Sequence, residues 1–295
     1  MGISPIEEVS IIMNTGIKEQ FRSIKKSLYR LYEESPLIRI LHPRRFHAYA
    51  IGSAKTGTHS LWTLFQNSYR AAHEIGSDEM IDWILKKERG EVTATQVTEW
   101  IRKRDQKLWL EMDSSQLNFY FLADYISEFP EAKFILTIRD CYTWLNSLLN
   151  EQLPSPTKQV GKWSDLKAFD QDTCPFDYGS EEITLKEKGF HPLEFYFADW
   201  ARRIQKTREI VPPEKLLILR TDQLSYKIPE IAEFLRIPLE GLSQERSHAY
   251  KRLQKEDFVS GIDRSYFQRK ADQYCTLLMQ EFFPEIRSAD DVLDR

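Results

Sequence analysis

Apolar residues fall into two alternating arrangements along this chain. Short runs that read as strands occur at Phe46–Ile51, Ala71–Glu74, Leu108–Met112, Phe134–Ile138 and Leu216–Arg220. Between them, apolar positions recur every three or four residues, the period of a helix with one buried face. The spacing predicts helices over Thr58–Arg70, Leu117–Phe129, Leu145–Leu149, Leu193–Ile210, Ile228–Leu235 and Tyr266–Phe283, with two more between residues 78 and 107 that carry Met80, Trp83 and Ile84 on one stripe. Phe134–Ile138 is almost wholly apolar, as expected of a strand covered on both faces. Strands alternating with helices imply an α/β fold of three layers, a central mostly parallel sheet with helices on both faces. Ligands in such sheets sit beyond the carboxyl ends of the strands. Lys55, Glu74, Glu111 and Arg139 all stand at or after the end of a predicted strand, so they are expected at one crevice.

Two segments break the alternation. Ile17, Phe21, Ile24, Leu28 and Leu31 form one helical stripe with Lys and Arg opposite. Residues 1–40 are therefore read as an N-terminal amphipathic helical segment and residues 41–295 as a single domain. That helix would pack at the edge of the core, the alternative being a membrane-surface or partner-docking helix. Residues 150–190 carry Pro154, Pro156, Gly161, Pro175, Gly179 and Gly189 and read as irregular. Trp163, Phe169, Phe176 and Tyr178 within them favour a lid or acceptor loop over a flexible linker.

Composition narrows the field. At 295 residues the chain can bury a large core, and a net charge of −4 gives no general attraction to nucleic acid or anionic membrane. Cys141, Cys174 and Cys275 are far apart and form no C-x-x-C pair, which argues against a disulfide framework or a cysteine zinc site. No run of about 18 apolar residues and no secretory signal are evident. The expectation is a cytoplasmic protein with no integral membrane association and no nucleic-acid partner.

The candidate chemistry starts at Tyr49–Leu61, which reads as a strand, a phosphate-sized loop and a helix start. Gly52 and Gly57 have the spacing of the nucleotide-binding pattern G-x-x-x-x-G-K-[ST], but Thr58 and His59 occupy its lysine and hydroxyl positions, and the lysine is Lys55 inside the loop. The loop and helix N-terminus suit an anion yet are poorly built for a magnesium-bound triphosphate. A second block, Phe129–Asp140, ends a strand in Arg139, with Trp144 and Ser147 on the following helix.

Lys55-Thr56-Gly57-Thr58 followed by Ser60-Leu61 resembles the 5′-phosphosulfate loop of sulfotransferases, enzymes that use 3′-phosphoadenosine-5′-phosphosulfate (PAPS). Arg139 and Ser147, eight positions apart, resemble the pair that holds the 3′-phosphate there. The resemblance implies a P-loop NTPase-like sulfotransferase fold. It implies a nucleotide site at Ser53, Ala54, Lys55, Thr56, Gly57, Thr58, His59, Ser60, Arg139 and Ser147, without a metal. Lys55 would aid departure of the 5′-phosphate, and Thr56 and Thr58 would donate hydroxyls to it. Thr221-Asp222-Gln223-Leu224 resembles the turn after the late strand of the family. The family's tryptophan five positions after the lysine is Ser60 here, with Trp62 two residues on, so the adenine platform is unassigned. The late Gly-rich nucleotide loop is not evident; Gly261, Arg264, Arg269 and Lys270 are either its substitute or a solvated charged face.

A hydroxyl acceptor needs a base. Glu74, 19 positions after Lys55, is similarly placed to the glutamate of carbohydrate and tyrosyl sulfotransferases. His73 would face the other way along the strand. His59 is an alternative base or phosphate contact. Glu111 and Asp113 stand where cytosolic members place a histidine. The reading is a PAPS-dependent sulfotransferase acting on a hydroxyl, or an amine, of a small-molecule acceptor. Its rivals are a P-loop kinase or NTPase and a non-catalytic nucleotide-binding or scaffold protein of the same fold. The oligomeric state stays open, a homodimer included.

Overall fold

The computed structural model describes residues 39, 41–152, 161–243, 259 and 261–293. Among these, five strands form one sheet: β1 (Ala48–Ala50), β2 (Ala71–His73), β3 (Met112–Ser114), β4 (Lys133–Ile138) and β5 (Leu216–Arg220). Their order is β2-β3-β1-β4-β5, and every neighbouring pair is parallel. The chain builds outward from β1 on one side through β3 and β2, then on the other through β4 and β5. The carboxyl ends of β1 and β4 therefore flank the point where the winding reverses, where a crevice opens in sheets of this type.

The described helices used below are α1 (Thr58–Phe65), α2 (Ser77–Glu88), α3 (Ala94–Leu108), α4 (Leu122–Glu128), α5 (Cys141–Gln152), α6 (Lys162–Asp172), α7 (Leu193–Ile210), α8 (Ile228–Leu235) and α9 (Arg264–Phe282). They cover both faces of the sheet, and strand side chains divide between them with a period of two. Ala48, Ala50 and Ile135 pack with Leu61 and Leu64 of α1 and Ile231 and Leu235 of α8. Tyr49, Phe134, Leu136 and Ile138 pack with Leu145 of α5, Phe197 and Trp200 of α7 and Phe267 of α9. Each large apolar side chain buried this way contributes about 1.5–3 kcal/mol.

Residues Arg45–Ile101 and Leu110–Arg295 form one compact unit, which holds the whole sheet. A second unit comprises residues up to Arg44 together with Arg102–Trp109. Within it the Arg44 guanidinium forks onto the Asp105 carboxylate at 2.6 and 3.0 Å and lies 4.2 Å from the Trp109 ring centroid. The Trp109 indole N–H donates to the His42 carbonyl at 3.1 Å. The amphipathic stripe at residues 17–35 lies outside the described residues. Among the described residues, no helix is long and apolar enough to cross a membrane.

Three expectations need correction. The third strand is not Leu108–Met112: α3 runs on to Leu108, Trp109 takes a left-handed φ of 46°, and the strand is Met112-Asp113-Ser114. Those residues are buried although two are polar, so an apolar count misplaces them. The helix after the loop stops at Phe65 rather than Arg70, and the chain leaves it through a turn in which the N–H groups of Ser68 and Tyr69 share the Phe65 carbonyl. Residues 161–190 of the stretch read as irregular carry α6 and a short helix, Ile183–Glu187. The glycines there punctuate rather than interrupt: Gly161 precedes α6 at φ 97°, and Gly189 closes the short helix at φ 68°.

Candidate active site

The loop after β1 is fixed by its own small side chains. Gly52 admits no Cβ, since one would lie 2.0 Å from Thr137 Oγ1 and 2.7 Å from the Thr137 carbonyl. The Thr56 hydroxyl lies 2.7 Å from the Ser53 carbonyl and 3.0 Å from Thr137 Oγ1. Lys55 and Gly57 adopt left-handed φ values of 66° and 98°, which reverse the chain into α1. The indole N–H of Trp144 donates to the Ala54 carbonyl at 2.9 Å. The Thr221 hydroxyl sits between the Thr56 and Ile138 carbonyl oxygens, where it can donate to either. Thr56 is thereby consumed in holding the loop. It is buried and does not line the cavity, against the expectation that its hydroxyl meets the nucleotide.

A cavity of about 2320 Å³ opens over the loop. Ser53, Ala54, Lys55, Gly57, Thr58, His59 and Ser60 line it from the loop and the N-terminus of α1. Arg139 and Ser147 line the same cavity from the end of β4 and from α5, and Glu74 lines it from the end of β2. The Lys55 ammonium lies 3.3 Å from Glu151 Oε2 of α5. Arg139 donates from Nε to Thr143 Oγ1 at 2.9 Å, while its two terminal nitrogens make no hydrogen bond among the described residues. Burial lowers its pKa, and the carboxylates of Asp140 and Asp222 act in the opposite sense. The Arg139 carbonyl accepts from the Trp200 indole at 3.0 Å, which anchors the backbone from which the guanidinium projects.

Glu74 follows β2 in a left-handed conformation, φ 53°. Its carboxylate accepts from the Ser115 hydroxyl at 2.6 Å and from the Gln116 N–H at 3.1 Å. Burial raises its pKa more than these two donors lower it, with Asp113 adding to the rise. His73 was expected to point away from Glu74, yet both line the cavity. Strand alternation applies inside a strand, and the left-handed Glu74 backbone ends it. The imidazole of His73 lies 3.3 Å from Thr58 Oγ1 through Nε2, and its ring centroid is 5.2 Å from that of His59. Burial first and His59 second bring the His73 pKa down to about 4. Burial and the Lys55 charge also lower that of His59.

Two expected site residues lie elsewhere. Glu111 does not line the cavity. It precedes β3 at the opposite end of the strand, and its fully enclosed carboxylate accepts from the Arg45 N–H and Nε at 3.0 Å each and from the Arg70 N–H at 2.9 Å. Arg264 does not line the cavity either, and its Nε lies 3.4 Å from Asp290. Arg269 reaches Ser265, and Lys270 pairs with Glu194 at 2.8 Å, so the proposed substitute for a late nucleotide loop is a charged helix face. Glu151 and Gln116 of the cavity wall, and Ser115 behind Glu74, have no signal in the sequence. Glu151, Ser115 and Gln116 acquire their roles only through partners distant along the chain.

The cavity presents donors suited to anions at two places. A helix N-terminus and an ammonium stand at one place in the cavity, and a guanidinium with two uncommitted nitrogens stands at another. A family model described as a sulfotransferase domain matches residues 49–239. No curated protein matches the chain. Among solved structures, the sulfotransferase STF9 of Mycobacterium avium is similar with 12% identity and a TM-score of 0.48 over 86% of this chain and 81% of that one. A sulfotransferase of Alicyclobacillus acidocaldarius is similar with 11% identity and a TM-score of 0.40 over 85% and 96%.

Proposed function

The chain belongs to the sulfotransferase domain family, and from that premise we propose that it passes a sulfuryl group from PAPS to a hydroxyl of a small-molecule acceptor. The donor, when bound, supplies an activated sulfur with adenosine 3′,5′-bisphosphate as leaving group. Lys55 meets the 5′-phosphosulfate end together with the backbone N–H groups at the start of α1 and the hydroxyls of Thr58 and Ser60. Arg139 takes the 3′-phosphate through its two uncommitted nitrogens, with Ser147 adding a hydroxyl. Glu74 receives the acceptor proton. Its raised pKa favours that transfer, and the Ser115 and Gln116 donors hold the carboxylate in place. His73, with its pKa near 4, is neutral at physiological pH and orients Thr58.

The observation that carries this reading is that Lys55, Arg139 and Glu74 line one cavity. Calorimetric titration with adenosine 3′,5′-bisphosphate and with ATP plus magnesium tests it, alongside transfer of labelled sulfuryl to mixed hydroxyl acceptors. The bisphosphate is expected to bind more tightly and without magnesium. Tighter, magnesium-dependent ATP binding would overturn the reading in favour of a kinase or NTPase.

A further inference from the structure

The cavity continues past Glu74 over α6 and α7, beyond the residues assigned above to the donor's phosphate groups. The Gln116 residue that donates its N–H to Glu74 accepts at its carbonyl from Arg203 Nη1, 3.3 Å away. Arg203 is in turn committed to Asp199 at 2.8 Å and to the Tyr120 hydroxyl at 3.3 Å. Arg202 is committed to the same Asp199 carboxylate at 2.5 Å. Past this network lies Asp170, on α6 and facing the cavity, with no hydrogen bond or ion pair among the described residues.

The charges around Asp170 do not supply it with a counter-ion. Its electrostatic neighbours are the acids Asp199 and Glu88, which raise its pKa, and the bases Arg203 and Arg202, which lower it while both are bonded to Asp199. Two further cations of the cavity wall are paired with acids other than Asp170, Lys87 with Asp124 at 2.5 Å and Lys206 with Glu209 at 3.1 Å. Lys167 lies over the Phe190 ring at 5.9 Å and acts on His191. A half-buried carboxylate in this setting is short of positive charge. Burial first and Asp199 second bring its pKa up to about 6. The surrounding lobe is aromatic: His191 stacks on Phe195 with centroids 4.0 Å apart, and Phe169 and Trp163 also face the cavity.

We propose that Asp170 is the counter-ion for a protonated amine on the acceptor, so that the substrate is a hydroxyl compound carrying an ammonium group on an aromatic or apolar body. The inference rests on the reading that the acceptor hydroxyl is presented to Glu74. It adds what recognises the far end of that molecule.

Three phenols of similar size separate the charge types: 4-ethylphenol, tyramine and 3-(4-hydroxyphenyl)propionate. Sulfuryl transfer from PAPS and calorimetric binding in the presence of adenosine 3′,5′-bisphosphate are measured for each, at a pH well above 6. Tyramine is expected to exceed the neutral phenol by about tenfold or more in kcat/KM and in affinity, the scale of a hydrogen bond to a charged group. Asp170→Asn is expected to erase that preference and leave 4-ethylphenol unchanged. Asp170→Lys is expected to move the preference to the propionate. Unaltered melting temperatures show that the variants fold. Equal behaviour of the three phenols in the wild type, a tyramine preference that survives Asp170→Asn, or binding of none of them overturns the proposal. Sulfation of all three without preference sinks the amine site and leaves the transfer reading standing. Asp170-dependent tyramine binding without transfer to any acceptor supports the amine site and sinks the transfer reading.

Discussion

The Lys55 ammonium and the Glu151 carboxylate lie 3.3 Å apart, so the cation assigned to the donor is already held by an anion that faces the same cavity. A polyanionic nucleotide has to compete with that carboxylate. Glu151→Gln is expected to tighten binding of adenosine 3′,5′-bisphosphate by about two- to fivefold, the scale of a partly exposed ion pair. Lys55→Ala is expected to weaken it and to reduce turnover far more. Titration calorimetry of the two variants decides the matter, and weaker nucleotide binding by Glu151→Gln would show that the carboxylate orients Lys55 instead of competing for it.

Arg139→Ala is expected to remove the preference for a 3′-phosphate. Affinity for adenosine 3′,5′-bisphosphate should fall about ten- to a hundredfold, the range for hydrogen bonds to a charged group, while affinity for AMP changes little. Binding isotherms for both nucleotides give the comparison. An equal loss for each would place the arginine's effect somewhere other than the 3′-phosphate.

Glu111→Ala is expected to damage the fold and spare the chemistry. The substitution strips acceptors from the Arg45 and Arg70 backbone N–H groups and leaves the Arg45 guanidinium without its carboxylate. Loss of one partner from an enclosed ion pair costs about 3–5 kcal/mol, reduced here because the Arg45 side chain is 53% exposed. Chemical denaturation should register a stability loss of about 2–3 kcal/mol, with kcat per folded molecule preserved. A selective collapse of kcat in a stable variant would return Glu111 to the catalytic machinery.

Acid sensitivity should trace in part to two histidines. The pKa values of His73 and His191 are both brought down to about 4, chiefly by burial. An unfolded histidine titrates near 6.5. As pH falls, the unfolded chain therefore takes up these protons first. The stability contributed by the neutral rings is complete above about pH 6.5 and drains away as pH falls toward 4. His191→Asn is expected to flatten this part of the profile by on the order of 2 kcal/mol when unfolding free energies at pH 7 and pH 4.5 are compared. An unchanged slope would mean that His191 titrates alike in the folded and unfolded chains.

Gly52→Ala is expected to disable the loop. The added carbon would press on both the hydroxyl and the carbonyl of Thr137, so the loop must shift off β4. Overpacking of this kind costs about 1–3 kcal/mol. Bisphosphate binding should fall with it, and wild-type affinity in a stable variant would show that the anion site does not depend on that close approach.

Much of the sheet was legible because strands covered on both faces are apolar throughout. Leu216–Arg220 is a strand within the bounds that its composition predicts, and Leu193–Ile210 and Ile228–Leu235 are helices over the predicted residues. β3 was not legible, since Asp113 and Ser114 are buried polar residues; the Ser114 hydroxyl, for example, donates to the Thr58 carbonyl at 2.9 Å. The strand-end rule brings Lys55, Glu74 and Arg139 to one cavity, because it depends only on topology. The same rule misplaces Glu111, because the strand begins at Met112, four residues later than the predicted start at Leu108, so that Glu111 precedes it. Thr56 has the residue type of an anion ligand, and only the packing against Thr137 shows that its hydroxyl is taken. Glu151 is 96 positions from Lys55, a separation across which no local pattern operates.

The Thr221 hydroxyl, lodged between the Thr56 and Ile138 carbonyls, rivets the loop to the end of the neighbouring strand. One hydroxyl thereby lies against both the loop that carries Lys55 and the strand end that precedes Arg139, the two ends of the proposed nucleotide cradle. On the proposed reading, the span from Lys55 to Arg139 is then set by the sheet as much as by the loop. An isomer bearing its phosphate on the 2′-oxygen is then expected to bind more weakly, since it would present its second phosphate off that span.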